Sequence, residues 1–183
     1  MRFEQLAVEG AFRVTLDVHG DARGGFARTF CVDEFAATGI DFTPVQCNLS
    51  RNPTKGTLRG LHFQLPPHEE AKLVHCVRGA IFDAIVDLRP TSPSYRKAAW
   101  VELTDGNDTL LYIPPGCAHG FLTTRPESDV FYYMGSRFVA GAGAGIRWDD
   151  PALAIPWPNA PTVISERDAG YPTLAQIDPA VLA

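Results

Sequence analysis

Apolar and polar residues along this chain alternate in short runs, with little of the 3.6-residue spacing of helices. Strands are predicted over residues 3–8, 11–16, 26–30, 44–50, 56–64, 72–77, 81–88, 98–103, 109–113, 120–123 and 130–138, each rich in β-branched or aromatic side chains. The linkers between them carry Pro, Gly, Asn and Asp, as in Pro66-Pro67-His68 and Thr104-Asp105-Gly106-Asn107-Asp108. Residues 32–38, stopped by Gly39, form the one clear helical stretch among them. Many short strands at steady spacing predict an all-β antiparallel sandwich or barrel. Beyond Phe138 the pattern ends in small residues and prolines, with Ser165-Glu166-Arg167-Asp168 as a helix start. Residues 139–183 are therefore expected as turns and short helices wrapped over a barrel spanning about 3–138. No repeat or long linker divides residues 1–183, so one domain is expected.

Composition narrows the function. Of 183 residues 45% are hydrophobic, enough for a core without metals or disulfides. The net charge of −5 argues against a nucleic-acid or membrane-surface partner. Cys31, Cys47, Cys76 and Cys117 form no C-x-x-C pair, and the N-terminus has no apolar leader segment. A cytoplasmic protein with reduced cysteines is expected.

The chemistry sits where polar residues interrupt apolar strands. In residues 56–64, strict alternation puts Leu58, Gly60, His62 and Gln64 on one face, with Arg59, Leu61 and Phe63 on the other. Lys72 opens an apolar strand, and Asp83 and Asp87 interrupt another. Tyr132 lies in an aromatic run. An acid, a base and a cation in one apolar cavity make a proton-transfer site. The bland alternatives are a structural His62, a Lys72–Asp83 ion pair and a core tyrosine at 132, with Tyr133 serving as well as Tyr132. The glycine-rich stretch 19–25 is read as a turn, and it precedes a strand rather than a helix, so it is not a nucleotide-binding loop. Arg23 there is either a phosphate ligand or a solvated turn residue. A metal-binding barrel needs two histidines one residue apart, and Gln64 stands where the second would be. No metal is expected. No G-x-S-x-G elbow marks a nucleophile.

Taken together, Arg59-Gly60-Leu61-His62-Phe63-Gln64, Lys72-Leu73-Val74, Phe82-Asp83-Ala84-Ile85-Val86-Asp87-Leu88-Arg89, Ile113-Pro114-Pro115-Gly116-Cys117-Ala118-His119-Gly120-Phe121, Ile146-Arg147-Trp148-Asp149-Asp150-Pro151 and Ser165-Glu166-Arg167-Asp168 resemble the dTDP-4-dehydrorhamnose 3,5-epimerase family. The resemblance runs in order from about residue 3 to 176. It implies a cupin-type jelly roll with a few short helices, mainly C-terminal, and neither metal nor cofactor. It also implies a homodimer with strand exchange. The implied substrate is a nucleotide-diphosphate 4-keto-6-deoxy sugar, epimerised at C3, C5 or both through an enolate. On matching positions, His62 is the general base and Asp168 orients it, Lys72 meets the enolate oxygen, and Tyr132 returns a proton from the opposite face. Arg23, Gln46, Asn48, Arg59, His119 and Arg167 hold the nucleotide, diphosphate or sugar.

Three positions depart from the family. Arg28 replaces a glutamate in the substrate-binding set, Arg137-Phe138 replace paired tyrosines that help hold the base, and His75 replaces an arginine. The expectation is retained catalysis with altered nucleobase recognition. For Arg59 and His62 to meet one ligand, alternation must break between them, so a bulge or strong twist is predicted at Gly60. The rival readings are a 3,4-ketoisomerase and a sugar-nucleotide-binding barrel without activity.

Overall fold

The computed structural model describes residues 1–182. Two antiparallel sheets face one another. The first has six strands in the order β1 (Arg2–Gln5), β2 (Phe12–Thr15), β10 (Thr109–Ile113), β7 (Lys72–Arg78), β12 (Ser128–Met134) and β5 (Gln46–Asn52). The second has five, ordered β13 (Gly143–Gly145), β6 (Leu58–Gln64), β11 (Cys117–Thr123), β8 (Ala80–Asp87) and β9 (Ala98–Thr104). A separate hairpin pairs β3 (Val18–Asp21) with β4 (Gly24–Ala27). Helices are few: α1 (Val32–Ala37), α2 (Glu166–Ala169) and two single 3-10 turns, Leu174–Gln176 and Pro179–Leu182. The all-β expectation holds.

Three apolar layers explain why strands form where they do. Between the sheets, Val74, Cys76, Leu111 and Val130 meet Ile81, Ile85, Leu103 and Phe121. Outside the six-stranded sheet, Leu73, Leu110 and Tyr112 are covered by Phe35 of α1 and by Phe42. Outside the five-stranded sheet, Leu61, Phe63, Val86 and Ala118 are covered by Ile146, Leu153, Leu174 and Leu182 of the C-terminal segment. β8 and β11 are thus buried on both faces and read as nearly continuous apolar runs.

The structure differs from expectation at four places. Residues 18–27 are a two-stranded hairpin, not a glycine turn followed by a strand over 26–30. Its strands are almost wholly exposed, so no buried face disciplines their sequence. β11 begins at Cys117, earlier than expected, and β12 ends at Met134 rather than Phe138. The small residues after 139 include an edge strand, β13, which pairs with the end of β6.

The bulge predicted at Gly60 is present. His119 pairs with His62 and Phe121 with Arg59, so two steps along β11 span three along β6. Gly60 has φ +136°, and a Cβ there would collide with the Gly120 Cα. The extra residue turns Arg59 and His62 to the same side, while Leu61 and Phe63 pack into the outer layer.

Candidate active site

A cavity of about 250 Å³ opens between the sheets. The five-stranded sheet lends it Arg59, His62 and His119; the six-stranded sheet lends Asn48, Lys72 and Tyr132.

His62 keeps about a third of its side chain open to solvent. Its Nε2 lies 2.8 Å from Asp168 Oδ1. The second oxygen, Oδ2, accepts the Gly60 N–H at 3.1 Å. The bulge therefore supplies the donor that completes this carboxylate. α2 presents Asp168, and its cap is Ser165, whose hydroxyl accepts the Asp168 N–H. Burial alone would raise the Asp168 carboxyl. The bonds from His62, Gly60 and Ser165 outweigh it and hold the group below the usual carboxylate range. An ionised carboxylate only accepts, so Nε2 carries the hydrogen and Nδ1 is the free nitrogen.

Lys72 is 5% exposed. Its Nζ sits 3.0 Å from Glu70 Oε1 and donates to the His62 carbonyl at 3.4 Å. The Lys72–Asp83 pair weighed from sequence does not form. Asp83, fully buried, instead binds His119 Nε2 at 2.6 Å through Oδ1, and its Oδ2 has no partner. His119 stands edge-to-face with Tyr132, ring centroids 6.0 Å apart. Burial first, and the Asp83 charge second, push the Tyr132 phenol well above the usual tyrosine range, with Arg59 opposing. The phenol is therefore neutral. Tyr133, the other aromatic considered, points elsewhere: its hydroxyl bonds Thr29 at 2.9 Å, and its ring packs in the outer layer.

Of the remaining expected residues, Arg59 is steadied by Asn52 Oδ1 at 2.9 Å. Gln46 donates to Asn48 at 3.1 Å and so adjoins the cavity. Arg167 lines a neighbouring cavity of about 410 Å³ with Arg59, His62 and Asp168. Arg23 and Arg28 do not line the His62 cavity within this chain. Arg23 is bound to Asp21 at the exposed tip of the β3–β4 hairpin, and Arg28 is bound to Glu34. Sequence reasoning missed two contributors. One is Glu70, the partner of Lys72. The other is Tyr171, which stands edge-to-face with His62. The one signal for Glu70 was an acid two places before a buried lysine. Among the described residues no three His, Cys, Asp or Glu side chains gather as a metal site, and no helix is long and apolar enough to cross a membrane.

The sequence matches the family model described as dTDP-4-dehydrorhamnose 3,5-epimerase over residues 5–176. A dTDP-4-dehydrorhamnose 3,5-epimerase of Sinorhizobium fredii is 39% identical, over 97% of this chain and 91% of the relative. A dTDP-4-dehydrorhamnose 3-epimerase of Streptomyces niveus is 37% identical, over 96% and 85%. The crystal structure of dTDP-6-deoxy-D-glucose-3,5-epimerase from Legionella pneumophila, in complex with dTDP-4-keto-L-rhamnose, superposes with a TM-score of 0.92 at 32% identity, covering 98% of this chain and 96% of that one. With its cupin-type jelly roll and a cavity between the sheets lined by His62, Lys72 and Tyr132, this chain belongs to the dTDP-4-dehydrorhamnose 3,5-epimerase family of sugar-nucleotide isomerases.

Proposed function

We propose that this epimerase inverts a carbon next to the C4 ketone of a nucleotide-diphospho-4-keto-6-deoxyhexose, with His62 and Tyr132 acting from opposite walls. The observation that carries this is their placement: the two side chains enter one cavity from facing sheets, with the Lys72 ammonium beside them. His62 Nδ1 takes the proton from the carbon, and the C–H electrons pass to the ketone oxygen as an enolate. Lys72, held in a nearly dry site, meets that charge as it forms. Asp168 fixes the imidazole and faces the positive charge it acquires. The Tyr132 phenol then gives its proton to the opposite face, the carbonyl reforms, and solvent restores both groups.

Arg59, Arg167, Gln46, Asn48 and His119 hold the diphosphate and sugar. Arg23 and Arg28 act on the cavity of a second copy, in a homodimer with exchanged strands. Support comes from the hairpin that carries Arg23, which pairs with no other strand of its own chain and leaves Phe26 77% exposed. The free edge of β5, with Val45 and Leu49 exposed beside it, offers a place for it. Four free cysteines fit the reducing cytoplasm. The replacements at Arg28, Arg137 and Phe138 bear on the nucleobase. A turnover comparison of dTDP-, CDP- and GDP-linked 4-keto sugars tests them, and a plain dTDP preference removes the idea of altered selection.

Incubation of a nucleotide-linked 4-keto-6-deoxyhexose in deuterium oxide tests the reaction. Deuterium at C3 or C5 with inversion is expected. A moved carbonyl would mean a ketoisomerase, and no exchange would mean a binding protein.

A further inference from the structure

The turn that leaves α2 carries a second group against His62. The helix stops at Gly170, and Tyr171 follows. Its ring stands edge-to-face with the imidazole, centroids 5.8 Å apart and planes at 72°. Asp168, three positions earlier, grips the same imidazole through Nε2. One short segment thus meets one ring from two directions. The χ2 torsion of histidine is a broad well, and a single hydrogen-bond acceptor leaves the ring room to rock. A second ring packed against it removes that room.

Tyr171 is itself seated by its surroundings. Gly145 is the register partner of His62 across the β13–β6 pairing, and a Cβ on Gly145 would run into the Tyr171 ring. The next residue, Pro172, accepts the Arg147 N–H at 2.9 Å, which ties the turn to the chain just after β13. Burial holds the phenol above the usual tyrosine range, so a neutral ring faces the imidazole.

We propose that Tyr171 is a positioning residue for His62, and that position 145 is glycine to admit its ring. This rests on His62 being the base. The orientation of Nδ1 toward the substrate carbon is then set jointly by Asp168 and Tyr171, and the rate depends on an aromatic ring that does not line the cavity shared by His62, Lys72 and Tyr132.

The test is kinetics and deuterium exchange on the full chain for Tyr171→Phe, Tyr171→Leu, Gly145→Ala and His62→Ala, each with a melting curve. Tyr171→Phe keeps the ring and should stay within about twofold of wild type in kcat. Tyr171→Leu should lose about tenfold in kcat with KM and melting temperature nearly unchanged, since misplacing a base slows chemistry without weakening binding. Gly145→Ala should match the leucine variant, and the double variant should be no slower than Tyr171→Leu alone. If the leucine protein does not fold, Tyr171→Met carries the same comparison. A leucine variant with wild-type kcat, one altered only in KM, or a phenylalanine variant as slow as leucine overturns the proposal. His62→Ala separates the two ideas. Retained exchange there removes the base assignment, whereas abolished exchange beside a wild-type-like Tyr171→Leu removes only the positioning role.

Discussion

Lys72 Nζ and Glu70 Oε1 lie 3.0 Å apart, with only 6% and 10% of the two side chains reaching solvent. Glu70 also accepts from Gln64 Nε2 at 3.1 Å, so the carboxylate is fixed before it meets the ammonium. Removing one partner of a buried pair strands the other charge. Glu70→Ala is expected to lower the unfolding free energy by about 3 kcal/mol in urea titration. Glu70→Gln keeps an acceptor oxygen near Nζ and should cost clearly less. Ala and Gln losses of equal size would mean that negative charge, not an acceptor in place, is what the ammonium needs.

Tyr132→Phe separates exchange from inversion. Without the phenol, the enolate has no donor on the far face, and protonated His62 returns a solvent-exchanged proton to the near one. Deuterium should enter with configuration retained, and inversion should slow by about 100-fold or more. NMR of the product in deuterium oxide reads both. Inversion at the wild-type rate would transfer the acid role to another group.

Acid should weaken the fold through two buried carboxylates. Burial alone would raise Asp87, but the Arg89 guanidinium, at 2.8 Å to each oxygen, and the Ser92 and Ser94 hydroxyls hold it below the ordinary range. Asp168 is depressed likewise, by His62, Gly60 and Ser165. A group depressed in the folded state stabilises fully above its unfolded value, about 3.9, and that contribution fades as pH falls through the lower folded value. Unfolding free energy should therefore drop steeply below about pH 4. In Asp87→Asn that drop should be shallower, from a lower plateau. Parallel curves for the two proteins would place the acid sensitivity elsewhere.

Gly60→Ala should be costly. The residue has φ +136°, and the new methyl meets the Gly120 backbone, which cannot move aside without parting β6 from β11. A loss of at least about 2 kcal/mol is expected by thermal or urea unfolding. Substrate binding should weaken as well, because Arg59 is aimed by this irregularity. A variant as stable as wild type would mean that the bulge relaxes readily.

Much of this was legible from residue order, and the reasons differ by element. β6 and β12 could be read because apolar residues with β preference recur between turn signals. The conflict in parity between Arg59 and His62 even foretold the bulge. The β3–β4 hairpin was hidden because its residues face solvent and leave no apolar rhythm. β13 consists of Gly143, Ala144 and Gly145, whose pairing is decided by β6 rather than by their own preference. Side-chain partnerships were the least visible. From sequence Asp83 is a rival partner for Lys72, and the path of the chain from 70 to 72 settles on Glu70. The approach of Tyr171 to His62 joins positions 109 apart, a contact that no local pattern announces.

His62 and Tyr132 hang from different sheets, so no loop determines how far apart they stand. That separation is governed by the thickness of the layer packed beneath them, where Leu111, Val74 and Ile85 fill the space between the sheets. Trimming such a residue would let the walls settle toward each other and detune proton transfer without touching a group that handles substrate. Surface loops, in contrast, can lengthen or change sequence with the reacting distance left intact.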